Sequence, residues 1–82
     1  MSAMSAAPLK GAQLVRAIRE ESDRLDLTIA EISALSGTSP VTVCKLRGKG
    51  VAPTNRPTLR RLSRFVLRIR GAASRRELGL PS

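Results

Sequence analysis

Apolar residues recur at helical spacing near the start of the chain, where charged residues separate them. Leu14, Val15 and Ile18 fall on one side of a helix, with Leu25 near its end. This pattern predicts a first amphipathic helix over about residues 9–24. Helical patterns recur in three later stretches, so the chain is predicted to be all-α.

A second helix is predicted for about residues 28–36. Thr28 and Glu31 have the spacing of a capping box, in which the hydroxyl and the carboxylate each accept a hydrogen bond from a backbone amide at the start of a helix. Gly37 is expected to end this helix, because glycine adopts the left-handed conformation without a steric penalty. An ordinary C-cap predicts the same turn, so Gly37 alone does not establish a motif.

A third helix is predicted for about residues 40–47, directly after the turn at Gly37. Ser39 is a typical N-cap, and Pro40 is favoured at the first helical position. If Val43 and Leu46 face the core, a step of about 100° per residue sets the opposite side. That side then consists of Val41, Cys44, Lys45 and Gly48.

The exposed face of the third helix is small and nearly free of acid. A helix that lies in the major groove of DNA needs such a face, because bulky or acidic side chains would hold it away from the base edges. The alternative is an ordinary surface helix, but those usually carry pairs of Glu and Lys. The absence of such pairs favours the groove-reading interpretation.

The last part of the chain predicts a loop, a fourth helix and a short C-terminal element. The prolines within residues 51–57 predict a loop, and Thr58 is expected to begin a helix over about residues 58–70, with arginines on its polar side. Ser74 and Glu77 predict a second capping box within a short C-terminal helix or tail, residues 74–82. Exposed leucines predict a dimer contact: Leu67, Leu78 and Leu80.

The charge of the chain is large and unevenly distributed. The 82 residues carry a formal net charge of +9, which suits one small domain. Residues 1–37 contain four basic and five acidic side chains, whereas residues 38–82 contain eleven basic and one acidic. This asymmetry favours a polyanionic partner. A membrane surface and a merely solubilising face are alternatives, but arginine predominates and no stretch approaches the roughly 18 apolar residues of a spanning helix.

The sequence lacks the residues that several classes of protein require. With no His, one Cys and six acidic residues, the chain offers no zinc site, catalytic triad or disulfide framework, so we expect neither an enzyme nor a cofactor. Residues 1–8 lack the features of a signal peptide and are predicted to be a disordered leader of a cytoplasmic, nucleoid-associated protein. Cys44 suggests redox sensing as one alternative and a small space-filling side chain as the other.

With these elements in place, residues 18–66 resemble the Cro/C1-type (XRE-like) helix-turn-helix family, which includes phage repressors and controller proteins of restriction-modification systems. The segment ISALSGTS, residues 32–39, is similar to the hinge of that family. Val43 and Leu46 match the buried positions of its recognition helix. The resemblance implies a compact five-helix bundle of the lambda-repressor-like DNA-binding type over residues 9–73.

The resemblance also implies a homodimer that places one recognition helix of each subunit in successive major grooves, about 34 Å apart. The positions implied for reading bases are Pro40, Val41, Cys44 and Lys45, with Thr42 at the margin. The positions implied for contacting phosphates are Thr28, Ser39, Arg47, Lys49, Arg56, Arg60 and Arg61. The remaining arginines are left open between solvent exposure and a dimer interface: Arg64, Arg68, Arg70, Arg75 and Arg76.

The expected function is sequence-specific regulation of transcription by occupancy of inverted-repeat operators on double-stranded DNA. Repression, with autoregulation, is the first expectation, and activation through contact with RNA polymerase is the alternative; no small-molecule ligand or membrane is expected. A second hypothesis is an antitoxin or anti-activator that binds a protein partner through the leucines. A third is a non-specific nucleoid or RNA binder, against which the near absence of aromatic residues counts.

Overall fold

Four α-helices make up most of the described chain. The computed structural model describes residues 11–81, so the predicted leader (1–8), positions 9 and 10 of the predicted first helix and the last position of the predicted tail lie outside the described residues. Within residues 11–81 there is no strand, which confirms the all-α class. The helices are α1 (Gly11–Arg24), α2 (Ile29–Ser36), α3 (Pro40–Cys44) and α4 (Arg56–Arg70).

The core lies between the apolar sides of α1 and α4 and is closed by α2 and α3. α4 packs on both α1 and α2, and α2 packs on α3. Removing these apolar side chains from water is the main force that holds such short helices together. Among residues 11–81, no helix combines the length and the apolarity that a membrane crossing requires. Core side chains that are at most 2% exposed include Leu14, Ile18, Leu27, Ile32, Val43, Leu46, Leu62, Phe65, Val66 and Ile69.

The predicted five-helix bundle is wrong in its number of helices. The C-terminal part of the described chain has one 3₁₀ turn, Arg75–Leu78, in place of a fifth helix. The Ser74 side chain makes no capping hydrogen bond, and the Glu77 carboxylate accepts from the backbone amide of Ala73 at 3.1 Å. The predicted capping box of Ser74 and Glu77 does not form, and the turn ends at left-handed Gly79.

α4 begins at Arg56, before the predicted start at Thr58. Asn55 is the N-cap, because its side-chain oxygen accepts a hydrogen bond from the backbone amide of Thr58 at 3.2 Å. Pro57 lies in the first turn, where the missing amide has no intrahelical partner to lose. The predictions that Thr58 caps this helix and that Pro57 belongs to the loop are therefore wrong.

The three leucines predicted to form an exposed dimer contact differ in burial. Leu78 belongs to the core and is 6% exposed, and Leu80 is partly buried against the core. Only Leu67, at 64% exposed, lies on the surface. The prediction of one apolar patch formed by all three is wrong, because the 3₁₀ turn directs Leu78 inward.

Candidate nucleic-acid interface

Hydroxyl side chains hold the turn between α2 and α3. Gly37 is left-handed, with φ of 73°, and its amide donates to the carbonyl of Ser33 at 3.0 Å. The Ser33 hydroxyl donates to the carbonyl of Thr38. The hydroxyls of Ser36 and Thr38 form a buried hydrogen bond of 2.7 Å. These bonds close the turn around Gly37 and hold α3 against α2.

Three residues of α3 and the residue directly after it present their side chains to solvent, and we call them the α3 face: Pro40, Val41, Cys44 and Lys45. The opposite side is buried, because Val43 of α3 and Leu46 of the turn that follows are almost fully removed from solvent. Val41 is 62% exposed although it is β-branched and apolar. The predicted division of residues 40–47 into an inner and an outer side is confirmed, but the α-helix ends at Cys44 rather than near residue 47.

The hydroxyl residues predicted at the interface act as helix caps. Ser39 caps α3, since its oxygen accepts from the amide of Thr42 at 3.2 Å, and the two hydroxyls are 2.9 Å apart. Thr42 is half-buried and shares this bond, and its predicted marginal role in reading a base stays a prediction. Thr28 and Glu31 form the predicted capping box at the start of α2. A hydroxyl that accepts in a cap retains its proton to donate to another acceptor.

The chain leaves α3 through a π-helical turn, Lys45–Lys49, which ends at left-handed Gly50. The Arg19 side chain of α1 donates from Nε to the carbonyl of Arg47 at 2.9 Å and approaches the carbonyl of Gly48 at 3.5 Å. Arg19 thus satisfies carbonyl oxygens that the end of a helix leaves without partners. The sequence gives no signal for this contact, because the partners are backbone atoms 28 and 29 residues away.

Arg47 is an anchor for the π-helical turn. Its Nη1 donates to the carbonyl of Leu27 at 2.7 Å, and its Nη2 donates to Asp23 Oδ1 at 3.1 Å. The side chain is 29% exposed. Both ends of the guanidinium thus bond to residues at the end of α1 and just after it, so the side chain that was predicted to contact a phosphate is engaged within the protein.

Most acidic side chains within residues 11–81 are paired inside the protein. Asp23 binds Arg47, Glu20 lies near Arg16, Glu31 binds Arg75, and Glu21 binds Arg24 and lies 3.9 Å from Arg70. These contacts fix several basic residues to α1 and its surroundings. Two of these basic residues are Arg70 and Arg75, for which the sequence left open whether they face solvent or a dimer interface.

The other basic side chains remain available for an external anion. Arg61 has one long contact, from Nη1 to the carbonyl of Gly37 at 3.4 Å. Seven further cations are exposed and have no hydrogen-bond or ion-pair partner within residues 11–81: Lys45, Lys49, Arg56, Arg60, Arg64, Arg68 and Arg76. All of them follow α2 in the sequence, whereas the basic side chains of α1 are bonded within the protein. The free positive charge of the described residues therefore belongs to the part of the chain after α2.

Arg75 ties the N-terminal end of α2 to the C-terminal part of the described chain. Its guanidinium donates to both carboxylate oxygens of Glu31 and to the carbonyl of Asp26 at 2.7 Å. The hydrogen bonds from Arg75, followed by the backbone amide of Thr28, hold the pKa of Glu31 at about 2, well below its ordinary value. The same carboxylate raises the pKa of Arg75. This cluster therefore holds the N-terminal end of α2, which is the end opposite to the turn at Gly37.

The structure brings three parts of the predicted site together: the turn at Gly37, the α3 face that follows it, and the first half of α4, which reaches the turn through Arg61. Comparison of the chain with models of protein families, with curated proteins and with solved structures gives no match. The resemblance drawn from residues 18–66 therefore stays a prediction, and the site is described by its own geometry.

Proposed function

We propose that the protein is a sequence-specific double-stranded DNA-binding regulator of transcription that inserts α3 into the major groove. One observation carries this proposal. A short helix presents an acid-free outer face beside a turn closed by hydrogen bonds, Arg61 of α4 reaches that turn, and the other unpaired cations all follow α2 in the sequence. A groove-reading element needs an outer face that can approach the base edges, and cations that neutralise phosphates on either side of it.

The α3 face and the surrounding cations have separate roles in this proposal. Lys45 donates to guanine O6 or N7, and Val41 packs on a thymine methyl group. Because the face has few hydrogen-bonding side chains, DNA shape contributes to the choice of site. We assign the phosphate contacts to two cap residues and to four cations that have no carboxylate partner within residues 11–81: Thr28, Ser39, Lys49, Arg56, Arg60 and Arg61.

The proposal includes a homodimer of the lambda-repressor-like type that represses transcription from an inverted repeat. Leu67 is the exposed leucine left for a dimer contact after Leu78 is assigned to the core. The burial of Leu78 removes the same apolar surface from a dimer contact and from the partner surface of an antitoxin or anti-activator, so the mass of the protein in solution distinguishes them, and a monomer would favour the second. Light scattering during size-exclusion chromatography tests the dimer, and loss of dimer mass in Leu67→Ser would support the role of Leu67.

Selection of bound sites from random duplexes tests the function. We expect an inverted repeat whose half-sites lie about one helical turn apart. Lys45→Ala should enrich a site altered at one position of each half-site, whereas Arg16→Ala, which removes an exposed cation of α1, should enrich the wild-type site. Failure of the wild-type protein to enrich any sequence would overturn the proposal.

A further inference from the structure

The outer side of α4 carries a row of three arginines, Arg61, Arg64 and Arg68. Their spacing of three and four residues places them within roughly 60° of one another around the helix. All three are exposed. The row faces away from the buried side of the helix, which consists mainly of Leu62, Phe65, Val66 and Ile69.

No carboxylate neutralises this row within residues 11–81. Arg64 and Arg68 have no ion pair or hydrogen bond there, and the contact of Arg61 is the long one to the Gly37 carbonyl. The acidic residues that form ion pairs lie on α1 and in the first turn of α2. Like charges three or four residues apart on a helix repel one another, so binding of an extended anion relieves this repulsion.

The length of the row suits a nucleic-acid backbone. From Arg61 to Arg68 the helix rises roughly 10 Å, and each strand of duplex DNA carries one phosphate per roughly 3.4 Å of its axis. A rise of about 10 Å equals about three phosphate intervals of one strand along the duplex axis, so guanidinium groups spread over this length can contact separate phosphates. The row also starts at the turn, because Arg61 Nη1 lies 3.4 Å from the carbonyl of Gly37.

The remaining chemistry of α4 favours a duplex over other polyanions. Phe65, the one aromatic residue of the chain, is 2% exposed and cannot stack on unpaired bases. The apolar side of α4 is occupied by the core, so the helix has no free apolar face to insert into a bilayer.

We propose that Arg61, Arg64 and Arg68 form a track for the phosphate backbone of double-stranded DNA, which extends the interface from the turn along α4. The identity of the polymer rests on the proposed function, but the contact does not depend on base reading by α3. The new assignments are Arg64 and Arg68, for which the sequence left solvent exposure and a dimer interface open.

The test measures the affinity of the full chain for a random-sequence duplex of about 20 base pairs across a series of KCl concentrations. Arg64→Ala combined with Arg68→Ala should reduce the slope of log K against log [KCl] by about two units, at roughly 0.9 per phosphate. The matched control combines Arg16→Ala with Arg76→Ala, which removes the same charge from α1 and the 3₁₀ turn. The control should keep the wild-type slope, and circular dichroism should give wild-type unfolding temperatures for both double variants.

An unchanged slope in the double variant, with duplex binding by the wild-type protein, would overturn the track and leave the proposed function standing. The opposite result separates the two ideas as well: a slope that depends on Arg64 and Arg68, without selection of any sequence, supports the track and contradicts sequence-specific regulation. If wild-type protein binds vesicles of phosphatidylserine and phosphatidylcholine through these arginines but binds no duplex, both proposals fail.

Discussion

Arg75 holds Glu31 through two parallel hydrogen bonds across 44 residues of sequence. The pairing of a planar guanidinium with a carboxylate through both oxygens is geometrically specific, and lysine cannot reproduce it. The same guanidinium donates from Nε to the carbonyl of Pro81 at 2.7 Å. One side chain therefore joins the loop before α2, the first turn of α2 and the last described residues.

Acid should weaken the fold through Glu31. Its pKa is about 2 in the folded protein, below the ordinary value of 4.5. A carboxyl group whose pKa is lowered by folding stabilises the protein above its unfolded pKa, and this contribution is lost as the pH falls toward the folded value. We expect the unfolding temperature to fall between pH 5 and pH 2, as measured by circular dichroism.

Glu31→Gln should remove part of this pH dependence and lower the unfolding temperature at pH 7. The matched control is Glu20→Gln, because Glu20 is exposed and its nearest approach to Arg16 is 3.6 Å. That control should keep the wild-type profile. Identical profiles for Glu31→Gln and the wild-type protein would contradict the role of this ion pair.

Arg47→Ala should destabilise the protein by about 1 to 3 kcal/mol, because the buried end of its contact, the Leu27 carbonyl, loses a charged donor. Lys49→Ala should leave stability within about 0.5 kcal/mol, since Lys49 is exposed and unpaired in the described chain. Urea unfolding measures both. Equal stability of the two variants, with a reduced salt slope for Arg47→Ala, would restore Arg47 as a phosphate contact.

Gly37→Ala should destabilise the protein by about 1 to 2 kcal/mol, because alanine resists the left-handed conformation. Crowding does not contribute, since a Cβ atom at Gly37 would come no closer than 4.0 Å to the Arg61 side chain. Gly48→Ala is the control, because Gly48 is helical and open to solvent, and this change should be neutral or stabilising by up to about 1 kcal/mol. A neutral Gly37→Ala in urea unfolding would contradict the strain argument.

Lys45→Ala and Arg61→Ala should differ in kind when DNA binding is measured. The first should cost about 1 to 3 kcal/mol on the selected site and little on random duplex, because it removes a contact to a base edge. The second should weaken both duplexes alike and reduce the salt slope by about one unit. Fluorescence anisotropy with the two duplexes distinguishes them, and equal losses on both for Lys45→Ala would remove Lys45 from the base-reading set.

The sequence predicted those features that depend on neighbours three or four residues apart. The capping box of Thr28 and Glu31 and the N-cap at Ser39 are local hydrogen bonds, so residue spacing reveals them. Local information also caused the error at α4. Asn55 and Thr58 are both good N-caps, so spacing alone does not choose between them. Proline is typical both of a loop and of the first turn of a helix, and Pro57 lies in the first turn of α4.

Contacts across long sequence separations could not be predicted in this way. Arg47 and Arg75 appeared as two members of a basic set, and only the fold shows that Asp23 and Glu31 lie beside them. The π-helical turn after α3 also makes a long-range contact, with Arg19. The acceptors are backbone carbonyls, which every residue type has, so the sequence does not reveal this contact. The inward direction of Leu78 follows from a 3₁₀ turn, which the helical spacing rule does not describe.

Cys44 lies on the α3 face, is exposed, and is the single cysteine of the chain. A thiol-reactive fluorophore or nitroxide therefore attaches at one position, between Val41 and Lys45, without an introduced residue. The attached group reports directly on the approach of another molecule to this surface. A bulky thiol reagent at the same atom covers the surface, so the native sequence supplies both a spectroscopic probe and a chemical block for α3.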